Sequence, residues 1–229
     1  MSGCTQTYGS IARALGASKA WLPERCFAAM LAELQALNPA LELVEPLVGN
    51  PVACRDIRAL AAEARAEVRP LVVDGSAIGV EGCAGVRLGA HVELIALGDA
   101  CLVALSADAE RVLPGLRERL DGMDAPSEER LAAHVERLAQ MDEAWRRRSD
   151  AAQVVASYLR CHPSVRQVAY PGLKGDASFE VAARTLQHGF GPCVSWQDAR
   201  DGGWHKLCCT AEDARSQVMR LEEELSPRA

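Results

Sequence analysis

The chain has 229 residues, 49% of them hydrophobic, and a formal net charge of −6. This length allows one large domain or two small ones, and the hydrophobic share excludes an intrinsically disordered chain. The net negative charge argues against the basic surface that nucleic-acid binding requires. No apolar run approaches the roughly 20 residues of a membrane span. We therefore expect a globular cytoplasmic protein that binds neither nucleic acid nor membrane.

The first half of the chain predicts alternating helices and strands. Helical segments carry apolar side chains at helical spacing, and the strands are short apolar runs bounded by Pro and Gly. A strand, a helix and a strand in succession indicate a parallel βαβ unit. The predicted helices cover 27–37 and 56–68, and the predicted strands cover 41–44, 71–73, 91–97 and 101–106.

The second half predicts one long helix and a small α+β region. Ser127 is a typical N-terminal capping residue, and the two acids after it suit the positive end of the helix dipole. The helix extends to Leu159, longer than is typical of globular proteins, and in a two-domain protein it would cross the domain boundary. We place the two domains at 1–122 and 123–229. The remaining predictions are strands at 165–170, 192–196 and 204–209 and helices at 179–187 and 211–225.

The nine cysteines predict free thiols. Their number is odd and their spacing suggests no disulfide framework, so we expect a reduced protein. Several lie in apolar runs, where a free thiol behaves as a small hydrophobic side chain. Strand alternation sends Cys208 and Cys209 to opposite faces, and no C-x-x-C pair is present. We therefore expect no metal site.

The segment 162–173, HPSVRQVAYPGL, is the most informative one. Its first proline ends a helix, its valines favour a strand, and the Pro-Gly pair marks a turn. This sequence motif resembles one in the small domain of the cystathionine γ-synthase and γ-lyase family, the pyridoxal-phosphate (PLP) enzymes of cysteine and methionine metabolism. The resemblance implies an α/β fold: a reduced PLP-transferase-like fold of the aspartate aminotransferase type. The resemblance further implies a mainly parallel sheet and a small α+β C-terminal domain. Residues 1–122 would be the remnant of the large cofactor-binding domain.

The resemblance also assigns vestigial binding residues. Tyr8 lies in a motif similar to the family's "YGGT", whose tyrosine stacks on the cofactor ring. Asp74 matches the aspartate of "VVDNT", which pairs with the protonated pyridine nitrogen, and Ser76 replaces the threonine of that phrase. Lys206 occupies the place of the arginine that clamps the substrate carboxylate. An ammonium recognises a carboxylate less well than a bidentate guanidinium does.

Two substitutions decide the expected chemistry. The segment 88–99, LGAHVELIALGD, resembles "lGADivvhSatK". Ala96 stands for the serine that holds the cofactor phosphate, and Asp99 stands for the Schiff-base lysine. A carboxylate forms no aldimine and repels a phosphate. We therefore expect no catalytic residue and no bound pyridoxal phosphate. The lysines of the whole chain are Lys19, Lys174 and Lys206.

Three functions remain open at this point. The first is a degenerate homologue without catalysis that serves as a binding or partner subunit. The second is an accessory subunit that completes the active site of a full-length PLP paralogue. The third is an active carbon–sulfur lyase or transferase that uses a non-standard lysine, for which Lys206 is the candidate. The resemblance begins at the motif that contains Tyr8, so the first portion of the family fold has no counterpart in the match. Its absence would leave apolar surface uncovered, and we therefore expect either a homo-oligomer or a heteromer with such a paralogue.

Overall fold

A computed structural model describes residues 2–226, which form eight α-helices and ten strands in chain order. The helices are α1 Ser2–Leu15, α2 Phe27–Leu37, α3 Ile57–Ala66, α4 Gly85–Leu88, α5 Leu116–Asp121, α6 Glu128–Cys161, α7 Phe179–Thr185 and α8 Ala214–Leu225. The strands are β1 Lys19–Trp21, β2 Glu42–Val44, β3 Leu47–Val48, β4 Ala53–Cys54, β5 Leu71–Asp74, β6 Val92–Ala96, β7 Cys101–Leu105, β8 Val165–Ala169, β9 Cys193–Asp198 and β10 Trp204–Cys208. Within 2–226, no helix combines the length and the apolar character that a membrane crossing requires.

The chain forms two compact units. The first contains 1–46 and 56–142, and the second contains 47–55 and 143–229. The division falls inside α6, so the long helix contributes residues to both units. The predicted domain limits, 1–122 and 123–229, stay a prediction.

The first unit is built on a five-stranded sheet with the order β1-β7-β6-β5-β2. The pairs β2–β5 and β5–β6 are parallel, whereas β7 is antiparallel to both of its neighbours. Four of the five strands therefore point in one direction, which confirms the expectation of a mainly parallel sheet. The predicted βαβ unit is β2, α3 and β5.

The central strands are buried because they are apolar on both faces. Every residue of β7 is buried, as are the three apolar residues of β5. This continuous hydrophobic run is typical of strands that are covered on both faces.

Asp56 caps α3 by accepting a hydrogen bond from the backbone N–H of Ala59 at 3.2 Å. The cap satisfies a donor that the first turn of the helix cannot pair internally.

The second unit contains an antiparallel sheet with the order β10-β9-β8. The three C-terminal strands predicted from the sequence thus share one sheet. Tyr170 is fully buried in the core of this unit, and its hydroxyl lies 3.1 Å from the carbonyl oxygens of Ser149 and Gly191. A Cβ at Gly172 would lie 2.5 Å from Tyr170 Cε1, so the packed tyrosine excludes a side chain there. Close packing against Tyr170 thus explains the glycine of the Tyr-Pro-Gly-Leu motif.

The prediction that all cysteines are free is wrong for one pair. Cys193 and Cys208 are directly opposite each other in the β9–β10 ladder and form a disulfide. The two residues are 15 positions apart in sequence, so spacing alone does not reveal that they are strand partners. Cys209 is buried and free, which agrees with the predicted alternation of side chains. No cluster of metal-ligating side chains occurs among residues 2–226.

Candidate functional site

The carboxyl ends of β5 and β6 bring together Asp74, Ser76 and Ala96. Asp74 Oδ1 accepts a hydrogen bond from the backbone N–H of Ser76 at 2.8 Å. The hydroxyl oxygen of Ser76 accepts one from the backbone N–H of Ala96 at 2.9 Å. This edge of a parallel sheet is where open α/β folds place ligands. Here both side chains organise the turn after β5 and tie it to the end of β6.

Asp99 lies in the turn between β6 and β7, and its side chain is 69% exposed. Its Oδ2 accepts a hydrogen bond from Arg130 Nη2 at 2.6 Å, and the same guanidinium pairs with Glu24. The hydrogen bond and charge of Arg130 lower the pKa of Asp99. A carboxylate held ionised at the surface supplies neither a nucleophilic amine nor a phosphate-binding charge.

Tyr8 lies in α1 and lines a cavity of about 490 Å³ in the first unit. The lining also includes Lys19, Trp21 and Asp121. Asp74 and Ser76 are not among the lining residues. Tyr8, the predicted stacking tyrosine, therefore lines a cavity whose polar groups include Lys19 and Asp121 and not the sheet-edge residues.

Lys206 lies in β10 of the second unit, where its Nζ donates a hydrogen bond to the backbone carbonyl of Gly49 at 2.9 Å. Asn50 Nδ2 donates to the carbonyl of Trp204 at 3.2 Å. Ser195 Oγ accepts from the backbone N–H of Val52 at 3.1 Å. These three bonds hold the β3–β4 hairpin against the sheet. Lys206 thus has a structural partner within its own unit.

Sequence reasoning missed two buried ionisable residues, His91 and Glu93. Glu93 is fully buried on β6, and burial raises its pKa to about 8 even though Val86 and Gly85 donate backbone hydrogen bonds to it. Its Oε1 has no hydrogen-bond partner among the described residues. His91 Nδ1 accepts from the backbone N–H of Leu71 at 3.0 Å, and burial lowers its pKa. An acid inside an otherwise apolar predicted strand is the signal that could have identified Glu93.

The residues present do not fit a covalently bound pyridoxal phosphate. Asp99, which the resemblance aligns with the Schiff-base lysine, lies in the β6–β7 turn and is paired with Arg130 of α6. Lys19 of β1 is paired with Asp121 of α5, and Lys206 donates a hydrogen bond to the β3–β4 hairpin. The Ser76 hydroxyl already accepts a bond from the Ala96 backbone. We therefore assign no reaction step to this cofactor here.

Comparisons with known proteins agree with the fold and with one segment of the sequence. Residues 141–207 match the family described as Cys/Met metabolism PLP-dependent enzyme. Cystathionine gamma-synthase of Mycobacterium leprae is 42% identical over 79 residues, which are 34% of this chain and 19% of that protein. The chain thus matches about a fifth of the length of this curated relative.

Two solved structures resemble the chain over nearly its whole length. A methionine gamma lyase from Micromonospora echinospora has a TM-score of 0.72 at 15% identity, covering 95% of this chain and 83% of that one. A cystathionine gamma synthase from Xanthomonas oryzae pv. oryzae has a TM-score of 0.71 at 16% identity, with the same two coverages. At these identities the likeness concerns the fold, which is the PLP-dependent transferase fold expected from the sequence.

Proposed function

The chain carries a segment of the Cys/Met metabolism PLP-dependent enzyme family on the fold of that family's solved members, and we propose that it is a homologue without catalytic activity. In this proposal it serves sulfur amino-acid metabolism as a binding or partner subunit. The residues that would bind and activate the cofactor have become structural, whereas the C-terminal segment keeps the family's sequence. Fold alone does not determine function, so the proposal depends on particular residues.

The Asp99–Arg130 ion pair is the observation that carries the proposal. Its acidic member, Asp99, lies in the turn where the family resemblance requires the Schiff-base lysine. Losing this lysine removes the covalent link to the cofactor. Losing the phosphate serine at position 96 removes a further contact to an anion, and such charge-assisted contacts contribute about 1.5–3 kcal/mol each. Because about 1.4 kcal/mol is a factor of ten, these losses lower cofactor affinity by orders of magnitude.

The test is reduction of the protein with borohydride in the presence of pyridoxal phosphate. We expect no visible absorbance band of an internal aldimine, and only sparse labelling spread over the three lysines when peptides are mapped by mass spectrometry. Stoichiometric labelling of Lys206 would overturn the proposal and favour a lyase or transferase. Lys206→Arg is the matched control, since it keeps the positive charge and removes the amine.

The accessory-subunit form of the proposal is favoured by where the family match lies. Residues 141–207 fall almost entirely in the second unit, whereas Asp74 on β5 and Asp99 in the β6–β7 turn belong to the first unit. A chain that keeps this segment while losing the cofactor residues is suited to association with a full-length homologue. Co-purification from the native host is the test. Recovery of a PLP-containing partner at fixed stoichiometry supports this form, and a chain recovered alone favours the homo-oligomer or ligand-binding form.

A further inference from the structure

The cavity beside Tyr8 has the size and composition of a small-molecule site. Its volume is about 490 Å³, within the range of roughly 300–1,000 Å³ that is usual for ligand pockets. Its walls come from α1, β1 and the segment around the end of α5. Apolar and aromatic side chains predominate, and they include Tyr8, Ala12, Trp21, Leu22, Leu120 and Met123.

The polar side of the cavity is preorganised around Asp121. Asp121 Oδ1 accepts a hydrogen bond from Trp21 Nε1 at 2.8 Å and forms an ion pair with Lys19. The ammonium of Lys19 also lies 4.5 Å from the centre of the Trp21 ring, in cation–π range. These hydrogen bonds lower the pKa of Asp121, so the carboxylate is ionised at neutral pH. Both bonds use Oδ1 and leave Oδ2 for another donor.

The charges of the lining favour a cationic ligand. The lining holds two carboxylates, Asp121 and Asp124, against one cation, Lys19. Lys19 is already paired with Asp121, whereas Asp124 forms no ion pair among the described residues and is the uncompensated charge of the lining. Arg117, which is not a lining residue, adds a positive charge that also acts on Asp121. An added carboxylate ligand would meet Asp124 and compete with Asp121 for Lys19. An added ammonium would find Asp124 and the free oxygen of Asp121.

We propose that this cavity binds a small molecule with an aromatic or apolar body and one ammonium group. The body packs against Trp21, Leu120 and Met123, and the ammonium pairs with Asp121 and Asp124. This site uses none of the sheet-edge residues Asp74, Ser76 or Ala96. It therefore goes beyond the proposed function and does not depend on it.

The experiment compares three probes that share an indole body. Tryptamine carries an ammonium, tryptophol is neutral, and indole-3-propionate carries a carboxylate. Binding to the full chain is measured by ligand-observed NMR and calorimetry at neutral pH. We expect tryptamine to bind most tightly and indole-3-propionate at least about tenfold more weakly, a ratio that corresponds to about 1.4 kcal/mol. Equal affinity for the three probes, a preference for the acid, or no binding of tryptamine at millimolar concentration would each overturn the proposal.

Two variants locate the site. Asp124→Asn removes the uncompensated charge, and we expect it to reduce the preference for tryptamine over tryptophol severalfold. Gly9→Leu places a side chain at the cavity lining, and a Cβ there meets no atom within 4 Å, so the variant is expected to fold. Circular dichroism checks its folding. Unchanged tryptamine binding by folded Gly9→Leu would contradict this location, and the outcome is independent of the borohydride test.

Discussion

Arg130 on α6 holds two carboxylates at once, because its Nη2 lies 2.6 Å from Asp99 Oδ2 and its Nε pairs with Glu24. The three groups join the β6–β7 turn, the segment after β1 and the start of the long helix. The guanidinium thus stands next to the position where the family resemblance requires a lysine. A lysine ammonium there would meet a like charge.

The first prediction concerns this pair. Asp99→Lys should lower the melting temperature slightly, because the new ammonium faces Arg130. Asp99→Lys combined with Arg130→Gln should restore part of the loss, because the glutamine removes the like charge without placing a second carboxylate beside Glu24. Exposed charges are screened, so the difference should shrink in 0.5 M NaCl. Thermal unfolding at low and high salt measures the effect. A double variant no more stable than Asp99→Lys alone would argue against a direct interaction.

The second prediction concerns pH. The folded-state pKa of Glu93 is about 8, above its ordinary value of 4.5, so the folded protein holds a proton that the unfolded chain has lost. Stability from this group is therefore fully present below about pH 4.5 and is lost as pH rises to about 8. The slope is about 1.4 kcal/mol per pH unit, which gives roughly 2 kcal/mol between pH 6.5 and 8.

The range above pH 6.5 separates Glu93 from His91. Burial lowers the pKa of His91, so its effect on stability is confined to lower pH, where stability rises with pH up to about 6.5. Urea unfolding from pH 6.5 to 9 measures the Glu93 contribution. Glu93→Gln keeps the shape without the ionisation and should flatten the curve. Parallel curves for the two proteins would show that folding does not raise the pKa of Glu93 into this range.

The third prediction concerns the approach of α4 to β5. A Cβ at Gly85 would lie 2.8 Å from Val73 Cβ, and both residues are buried. Gly85→Ala should lower the free energy of unfolding by about 1–3 kcal/mol, as overpacking does in other cores. Gly175→Ala is the matched control, because a Cβ there meets no atom within 4 Å. Urea titration of both variants measures the difference, and equal stability of the two would contradict the close packing.

The fourth prediction concerns the Cys193–Cys208 disulfide. It closes a loop of 15 residues, for which chain entropy gives about 3 kcal/mol. Replacing both cysteines by serine should therefore lower the unfolding free energy by about 3 kcal/mol under oxidising conditions, and a reducing agent should remove most of the difference. Cys161→Ser serves as control, since Cys161 is exposed and free. Wild-type protein that is insensitive to the reductant would argue against the bond.

Local signals in the sequence were sufficient for most elements. The sequence predicts Ser127 as the cap of the long helix, and its Oγ accepts a hydrogen bond from the backbone N–H of Arg130 at 3.3 Å. The predicted helix over 27–37 is confirmed at the same limits. These features depend on neighbouring residues and helical spacing, which are visible in the chain itself.

Features that depend on partners distant in sequence were not predicted. Strand β1 has only three residues, and its place at the sheet edge is set by pairing with β7. Predicting the disulfide requires the pairing register of β9 and β10. Predicting the cavity requires the knowledge that α1, β1 and the end of α5 lie together. The roles assigned to Tyr8, Asp74, Ser76 and Lys206 stay predictions, since their contacts alone do not test ligand binding.

The hairpin β3–β4 has a practical consequence for anyone who wishes to isolate the second unit. A fragment that starts at Glu143 would lack 47–55, and with it the partners of Lys206, Trp204 and Ser195. No single cut in the chain releases either unit whole. Limited proteolysis or gene truncation at α6 would yield an incomplete fold, so a minimal fragment has to be spliced from two stretches of the gene.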